Sequence, residues 1–419
     1  MTSQIRTARL GNGLSILVEE MDHVESAAYD LLLPGGLICD SPDTIGASVI
    51  FSELLGRGAG DLDSRRLSEA FDDHGIRHGE WVGMDRFGLS GSLLSSKLPR
   101  ALELVSLMIQ KPLLPEDEIE NIRSVLLQDI AALNDNPSRR AMVELNKRYY
   151  PTPFNRSSLG EAEGLRATDR RRMVELHTSV FSPHNAILSI AGKVNADEVI
   201  AHAEGFFGSW KGDSVTLPAF GNISPHRYSH IESDSAQMQI VMAAPSVKFN
   251  EDGYYAGKLA VSLLGASMFG RLFMELREKR GLCYSVYARH GANTSYGTVS
   301  AYVGTTPERA QESLDLLIGE FSRLRGSVTD DELARAKTNL KASLVMGEES
   351  PGSRAASNAT DWWLLKRIRT LQEVNDAIGA VTIRDIDSFI ERHPFSPCTI
   401  LTLGRAPLEI SADITREVA

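Results

Sequence analysis

The chain has 419 residues, room for two or three domains, and its 42% hydrophobic and 24% charged residues are those of an ordinary globular protein. Its 44 basic residues against 55 acidic ones leave a formal charge of −11, which argues against a nucleic-acid binder and against attraction to anionic membranes. No apolar run approaches the roughly 20 residues needed to cross a bilayer. The start, Met1-Thr-Ser-Gln-Ile-Arg-Thr, has no apolar leader core, so a cytoplasmic protein is expected.

In chain order, Ser15 to Glu19 and Ala27 to Leu33 read as short strands, the second ended by Pro34-Gly35-Gly36. Ile45 to Leu55 reads as an apolar helix and Phe87 to Leu94 as a strand. Lys97 to Ile109 is helical by the spacing of Leu98, Ala101, Leu102, Val105 and Met108. Asp117 to Leu133 is a long amphipathic helix with acidic residues in its first turn, where the helix dipole favours them. In the second half, Met238 to Ala243, Gly297 to Val303, Arg309 to Leu324 and Asp330 to Val345 take the same parts. Strands lie beside helices without strict alternation, so an α+β class with antiparallel-rich sheets is expected.

The chain repeats itself. Phe181-Ser-Pro-His-Asn-Ala-Ile-Leu-Ser-Ile-Ala-Gly192 recurs as Phe395-Ser-Pro-Cys-Thr-Ile-Leu-Thr-Leu-Gly404, two residues shorter, at an offset of 214. Leu114-Pro-Glu-Asp-Glu118 resembles Val328-Thr-Asp-Asp-Glu332, again 214 residues apart. Two matches in one register imply two homologous halves, expected at 1–216 and 226–419 and divided in the polar stretch from Leu217 to Pro225.

Common catalytic signatures fail. Gly88-Leu-Ser90-Gly91 sits in a strand and lacks one residue of a nucleophile elbow. Gly192-Lys193 and Gly257-Lys258 lack the glycine-rich approach of a phosphate loop. His74 and His78 are separated by Gly75 and read as a helix end followed by a strand. His226 and His230 read as solvated positions between the halves. Cys39, Cys283 and Cys398 are far apart, without a C-x-x-C pair, which argues against disulfides or a thiolate zinc site.

Three segments do carry a resemblance: Arg9-Leu-Gly-Asn-Gly-Leu-Ser-Ile-Leu-Val-Glu19, the Pro34-Gly35-Gly36 turn, and Gly46-Ala-Ser-Val-Ile-Phe-Ser-Glu-Leu-Leu-Gly-Arg-Gly58. Together with the two-fold repeat, they resemble the insulinase-like peptidases, the superfamily of pitrilysin, mitochondrial processing peptidase and short bacterial zinc proteases. In active members, the resemblance implies, the helix from Ile45 carries H-x-x-E-H, whose histidines bind zinc and whose Glu activates water. A further Glu about 76 residues on completes the ligands. Here Val49 stands at the first His, Ser52 at the general base, Glu53 at the second His and Asp129 at the third ligand. Val49 cannot ligate, and two carboxylates suit Mg²⁺ or Ca²⁺ better than zinc. Glu53 and Asp129 are therefore expected to be polar positions with local hydrogen bonds, and no metal or other cofactor is expected in this chain.

The second half is different. Gly270-Arg-Leu-Phe-Met-Glu-Leu-Arg277-Glu-Lys-Arg-Gly-Leu-Cys-Tyr284-Ser-Val-Tyr is close to the family's R-x-x-x-x-x-x-Y run. The resemblance implies that Arg277 and Tyr284 reach an active site formed by another N-terminal half. Guanidinium and phenol donors suit an oxyanion and substrate carbonyls. The expected role is a zinc-free subunit that supplies this pair to a homologous partner carrying H-x-x-E-H, with zinc in that partner and unfolded peptides as substrate. The chain would pair with that subunit as a heterodimer, or with itself. Two other readings stand beside it: a structural subunit resembling the cores of the respiratory bc1 complex, and a single-chain peptidase with another metal site.

Overall fold

The computed structural model describes residues 5–223, 227–265 and 268–411. Met1 to Gln4, His226 and the Pro225 end of the expected boundary lie outside the described residues.

The first half opens with β1 (Ile5–Arg9), β2 (Ser15–Glu20) and β3 (Ser26–Pro34). Next come α1 (Ala47–Leu55), the two-residue strands β4 (Gly58–Ala59) and β5 (Leu62–Asp63), and α2 (Ser64–Asp72). β6 (Arg77–Val82), β7 (Arg86–Leu94), α3 (Leu98–Gln110) and α4 (Glu116–Ala131) follow. The half closes with α5 (Pro137–Tyr149), α6 (Ala162–Ala167), α7 (Arg170–Val180), β8 (Ile187–Gly192) and α8 (Ala196–Phe207).

The second half begins with β9 (Tyr228–Glu232), β10 (Met238–Ser246) and α9 (Tyr254–Gly265). A π-helical turn spans Phe273–Glu278 and leads into β11 (Cys283–Ala292) and β12 (Gly297–Thr305). Then come α10 (Ala310–Arg323), α11 (Asp330–Glu348) and α12 (Pro351–Leu365). α13 (Leu371–Ala380), α14 (Ile383–Arg392) and β13 (Thr399–Gly404) complete it.

The repeat read from sequence is present in the topology. The first sheet runs β1-β2-β8-β3-β7-β6 and the second, written in the matching direction, β9-β13-β10-β12-β11. In each, one pair is parallel (β2 with β8, β9 with β13) and the others are antiparallel. The fold is α+β, two homologous halves of sheet packed with helices. β3 reads Ser-Ala-Ala-Tyr-Asp-Leu-Leu-Leu-Pro without clean alternation because both its faces are covered. Tyr29, Leu31 and Leu33 enter the main core of the first unit, while Ala28 and Leu32 meet smaller clusters containing Ala355 and Ala359 of α12.

That last contact marks a departure from a simple division. The chain forms two compact units, but residues 132–155 join the second and 346–368 join the first. The two exchanged helices are repeat partners: α5 and α12 start at prolines 214 residues apart, after the caps Asn136 and Ser350. α5 packs Ala141, Leu145 and Tyr149 against Val241, Ala243, Leu401 and Leu403 of the second sheet. α12 adds charge to its apolar contacts with the first sheet. Arg354 Nε donates to both carboxylate oxygens of Glu19 on β2 at 3.1 and 2.8 Å, and Asn358 Nδ2 donates to Oε2 at 2.6 Å. Arg354 also meets Glu348.

Candidate functional site

α1 starts at Ala47 rather than Ile45, for a local reason. Gly46, at φ +109°, turns the chain into the helix where the approach of Gly160 and Leu165 leaves no room for a Cβ. Asp40 then caps it, accepting from the backbone N–H of Gly46 at 2.8 Å and of Ser48 at 3.0 Å, and from Ser48 Oγ at 2.6 Å. Burial raises the Asp40 pKa, and these hydrogen bonds, with Arg156, pull against that rise. Asp40 was not singled out in the sequence. Its signal, an Asp before a glycine and an apolar helix, is common to many caps.

The four positions assigned by resemblance to a zinc site lie on two helices that pack together. Val49 and Ser52 are buried on α1, 8% and 5% exposed, whereas Glu53 on α1 and Asp129 on α4 face solvent. Contrary to the expectation of local hydrogen bonds, neither Glu53 nor Asp129 forms a hydrogen bond or ion pair among the described residues. Each is exposed, and water satisfies it without help from the protein. The donors do not fit zinc: of the three ligand positions, one holds a branched hydrocarbon and the other two hold carboxylates, with no imidazole, and a hydroxyl stands where the base belongs. Among the described residues, no three His, Cys, Asp or Glu are grouped to hold a metal ion. The nearby histidines are structural. His78 on β6 stacks on Phe71 and contacts Glu80 at 3.1 Å, and His74 Nδ1 lies 3.0 Å from the Ala70 carbonyl oxygen.

Arg277 and Tyr284 stand on either side of a helix-to-strand junction in the second unit. The π-helical turn ends in the Gly281 left-handed turn at φ +59°, where the N–H of Gly281 donates to Arg277 O and that of Leu282 to Leu276 O. Arg309 donates to the Gly281 carbonyl, holding the turn to α10's start. The register of β11 on β12 then slips between Cys283 and Ser285, so Tyr284 is the extra residue of a β-bulge. A bulge re-aims a side chain, and here it leaves Tyr284 65% exposed. Arg271 anchors the base of the segment with a bidentate pair to Glu332 at the start of α11, at 2.8 and 2.9 Å.

Within this basic run the charges have different fates. Lys279 and Arg280 both bind Glu275, holding its carboxyl below the usual range. Arg277 stays exposed and without a hydrogen bond among the described residues, its guanidinium 4.9 Å over the Phe273 ring. Its charge reaches Cys283, where it opposes the burial that pushes the thiol up to about 11. Arg277 and Tyr284 are therefore exposed donors without a hydrogen bond among the described residues.

The sequence profile of the insulinase family, peptidase family M16, matches residues 15–161, and that of the M16 inactive domain matches residues 168–340. The chain belongs to the insulinase family. An uncharacterised zinc protease of Rickettsia bellii is 24% identical over 410 residues, 96% of this chain and 98% of that protein. The zinc protease YmxG of Bacillus subtilis is 24% identical over 382 residues, 90% and 92% of the two chains. Among solved structures, a peptidase M16 inactive domain from Pseudomonas fluorescens superposes with a TM-score of 0.85 at 21% identity, over 97% of this chain and 99% of that one. A protease from Helicobacter pylori gives 0.87 at 18% identity, over 96% and 100%. This insulinase-family chain thus has the fold of both along nearly its whole length. Among its described residues, no helix is long and apolar enough to cross a membrane.

Proposed function

We propose that this chain is the zinc-free subunit of a two-chain insulinase-family peptidase, acting in the cytoplasm. It lends Arg277 and Tyr284 to the zinc site of a homologous partner that carries H-x-x-E-H. The observation that carries the reading is the state of that pair: a left-handed glycine turn and a β-bulge present two exposed donors that make no hydrogen bond among the described residues. In the partner's site, guanidinium and phenol would grip the carbonyl of an extended peptide and stabilise its oxyanion, while zinc and the general base come from the partner. Val49 and Ser52 support the same division of labour, because they leave this chain without ligand or base at those positions.

The test is reconstitution. Alone, the chain should show negligible hydrolysis of an unstructured peptide. Mixed with a homologous subunit that carries H-x-x-E-H, it should raise turnover well above that of the homologue by itself. Activity of the mixture that is indifferent to Arg277 and Tyr284 would instead favour a structural subunit. Zinc bound stoichiometrically by this chain alone would overturn the division of labour.

A further inference from the structure

On the face of the first sheet that α12 covers, Glu19 is paired with α12, but a second polar row is not. Asp30 on β3 lies between Ser90 on β7 and Ser189 on β8, its direct cross-strand neighbours. Asp30 is 7% exposed and accepts no hydrogen bond among the described residues, and both its Oδ1 and the Ser189 Oγ are buried without a partner. Beside this row is a cavity of about 630 Å³, lined by Asp30 and by Arg86, whose Nη1 is also buried and unpartnered. Gly352, Ala356 and Thr360, four apart on α12, give the far wall, and their small side chains leave the space open. Arg77 lines the cavity from the edge strand β6. The volume is that of a small-molecule site.

A buried acceptor and a buried donor, each lacking a partner and each on a residue that lines one cavity, are costly unless something else satisfies them. Arg86 is held elsewhere, its Nε 3.4 Å from Asp85 and its guanidinium carbon 5.3 Å over the Trp363 ring. Its charge reaches Asp30 without a hydrogen bond, and burial still outweighs it, leaving the Asp30 pKa at about 6. The charges around the cavity select the class of occupant. A simple cation would meet two arginines, and a simple anion would meet Asp30. A molecule with an ammonium at one end and a carboxylate at the other satisfies both. We propose that the cavity between β3, β7 and α12 binds the zwitterion of an amino acid or short peptide, its ammonium on Asp30 and its carboxylate on Arg86. The site lies within the first unit and is independent of the role given to Arg277 and Tyr284.

Calorimetric titration of the full chain tests this with alanine, trialanine, N-acetyl-trialanine and trialanine amide as probes. Saturable one-site binding of alanine or trialanine is expected, and which of the two binds more tightly separates a free amino acid from a peptide. Blocking either terminus of trialanine should weaken binding about tenfold or more, the scale of a lost charge-assisted hydrogen bond. Asp30→Asn should abolish the preference for a free amino end, and Arg86→Gln the preference for a free carboxylate. Ala356→Leu, which fills the cavity and leaves the charges, should remove binding of all four. Should Asp30→Asn fail to fold, the blocked probes and Ala356→Leu decide alone. Absence of saturable binding at millimolar probe overturns the proposal. So does binding that ignores blocked ends or survives Ala356→Leu.

Discussion

The two halves share one topology but have placed their polar groups in opposite ways. In the first, α1 buries Val49 and Ser52, and Asp40 is consumed in capping the helix that carries them. In the second, the run from Arg277 to Tyr284 exposes its donors and assigns the neighbouring Lys279 and Arg280 to Glu275. The exchanged helices differ in the same sense: α5 holds to its sheet by apolar side chains, whereas α12 adds a buried ion pair to its apolar contacts. Duplicated folds can therefore diverge in chemistry while the backbone stays constant, because sheet order depends on apolar patterning and not on which polar groups survive.

The largest expected effect falls on the α12 clamp. Arg354→Ala takes the charged partner from Glu19, which is 3% exposed, and should cost about 3–5 kcal/mol in urea unfolding. Glu19→Leu combined with Arg354→Met should recover most of that loss, as apolar replacement of a buried pair commonly does. A double variant as unstable as Arg354→Ala would show that the pair itself, and not its breakage, matters.

Next is the contrast inside the basic run. With the partner present, Arg277→Ala or Tyr284→Phe should lower kcat by about 10²–10³-fold, the scale of one lost oxyanion donor. Arg280→Ala should leave kcat near wild type and cost about 0.2–1 kcal/mol of stability, since it breaks a surface pair. Equal losses in kcat from Arg277 and Arg280 would erase the distinction between them.

Smaller is the effect at the start of α1. Asp40→Ala should destabilise the first unit by about 1–2 kcal/mol, within the range for a lost N-cap. An unchanged melting temperature would remove Asp40 from the account of how α1 is placed.

The smallest effect is a pH dependence in the second unit. Hydrogen bonds from Arg271, helped by the Thr329 N–H, hold the Glu332 pKa at about 2, below its ordinary 4.5. A depressed folded-state pKa gives stability that is complete above pH 4.5 and is lost as pH falls from 4.5 towards 2. Glu332→Gln should flatten the acid limb of the stability curve over that interval. A limb of unchanged slope would show that the anchor of the Arg277 segment is not electrostatic.

The sequence by itself determined the repeat, the types of the elements it named, and the chemistry available at each site position. Matches at an offset of 214 and the period of apolar residues are local facts, so Val49 could be ruled out as a ligand before any fold was known. Element ends were legible to within a few residues, as at α1, where the Asp40 cap and Gly46 set the start. Only the tertiary structure decided which helix covers which sheet, because α5 and α12 look equally amphipathic whichever half they serve. It alone separated Arg277 from Arg280, since pairing with Glu275 depends on how the turn closes. It alone showed Tyr284 on a bulge, which is a register between two strands and not a property of either. The lone aspartate in β3 was visible in the sequence, but its missing partners were not. Whether a buried charge is satisfied depends on what the neighbouring strands and a helix more than 300 residues away bring to it.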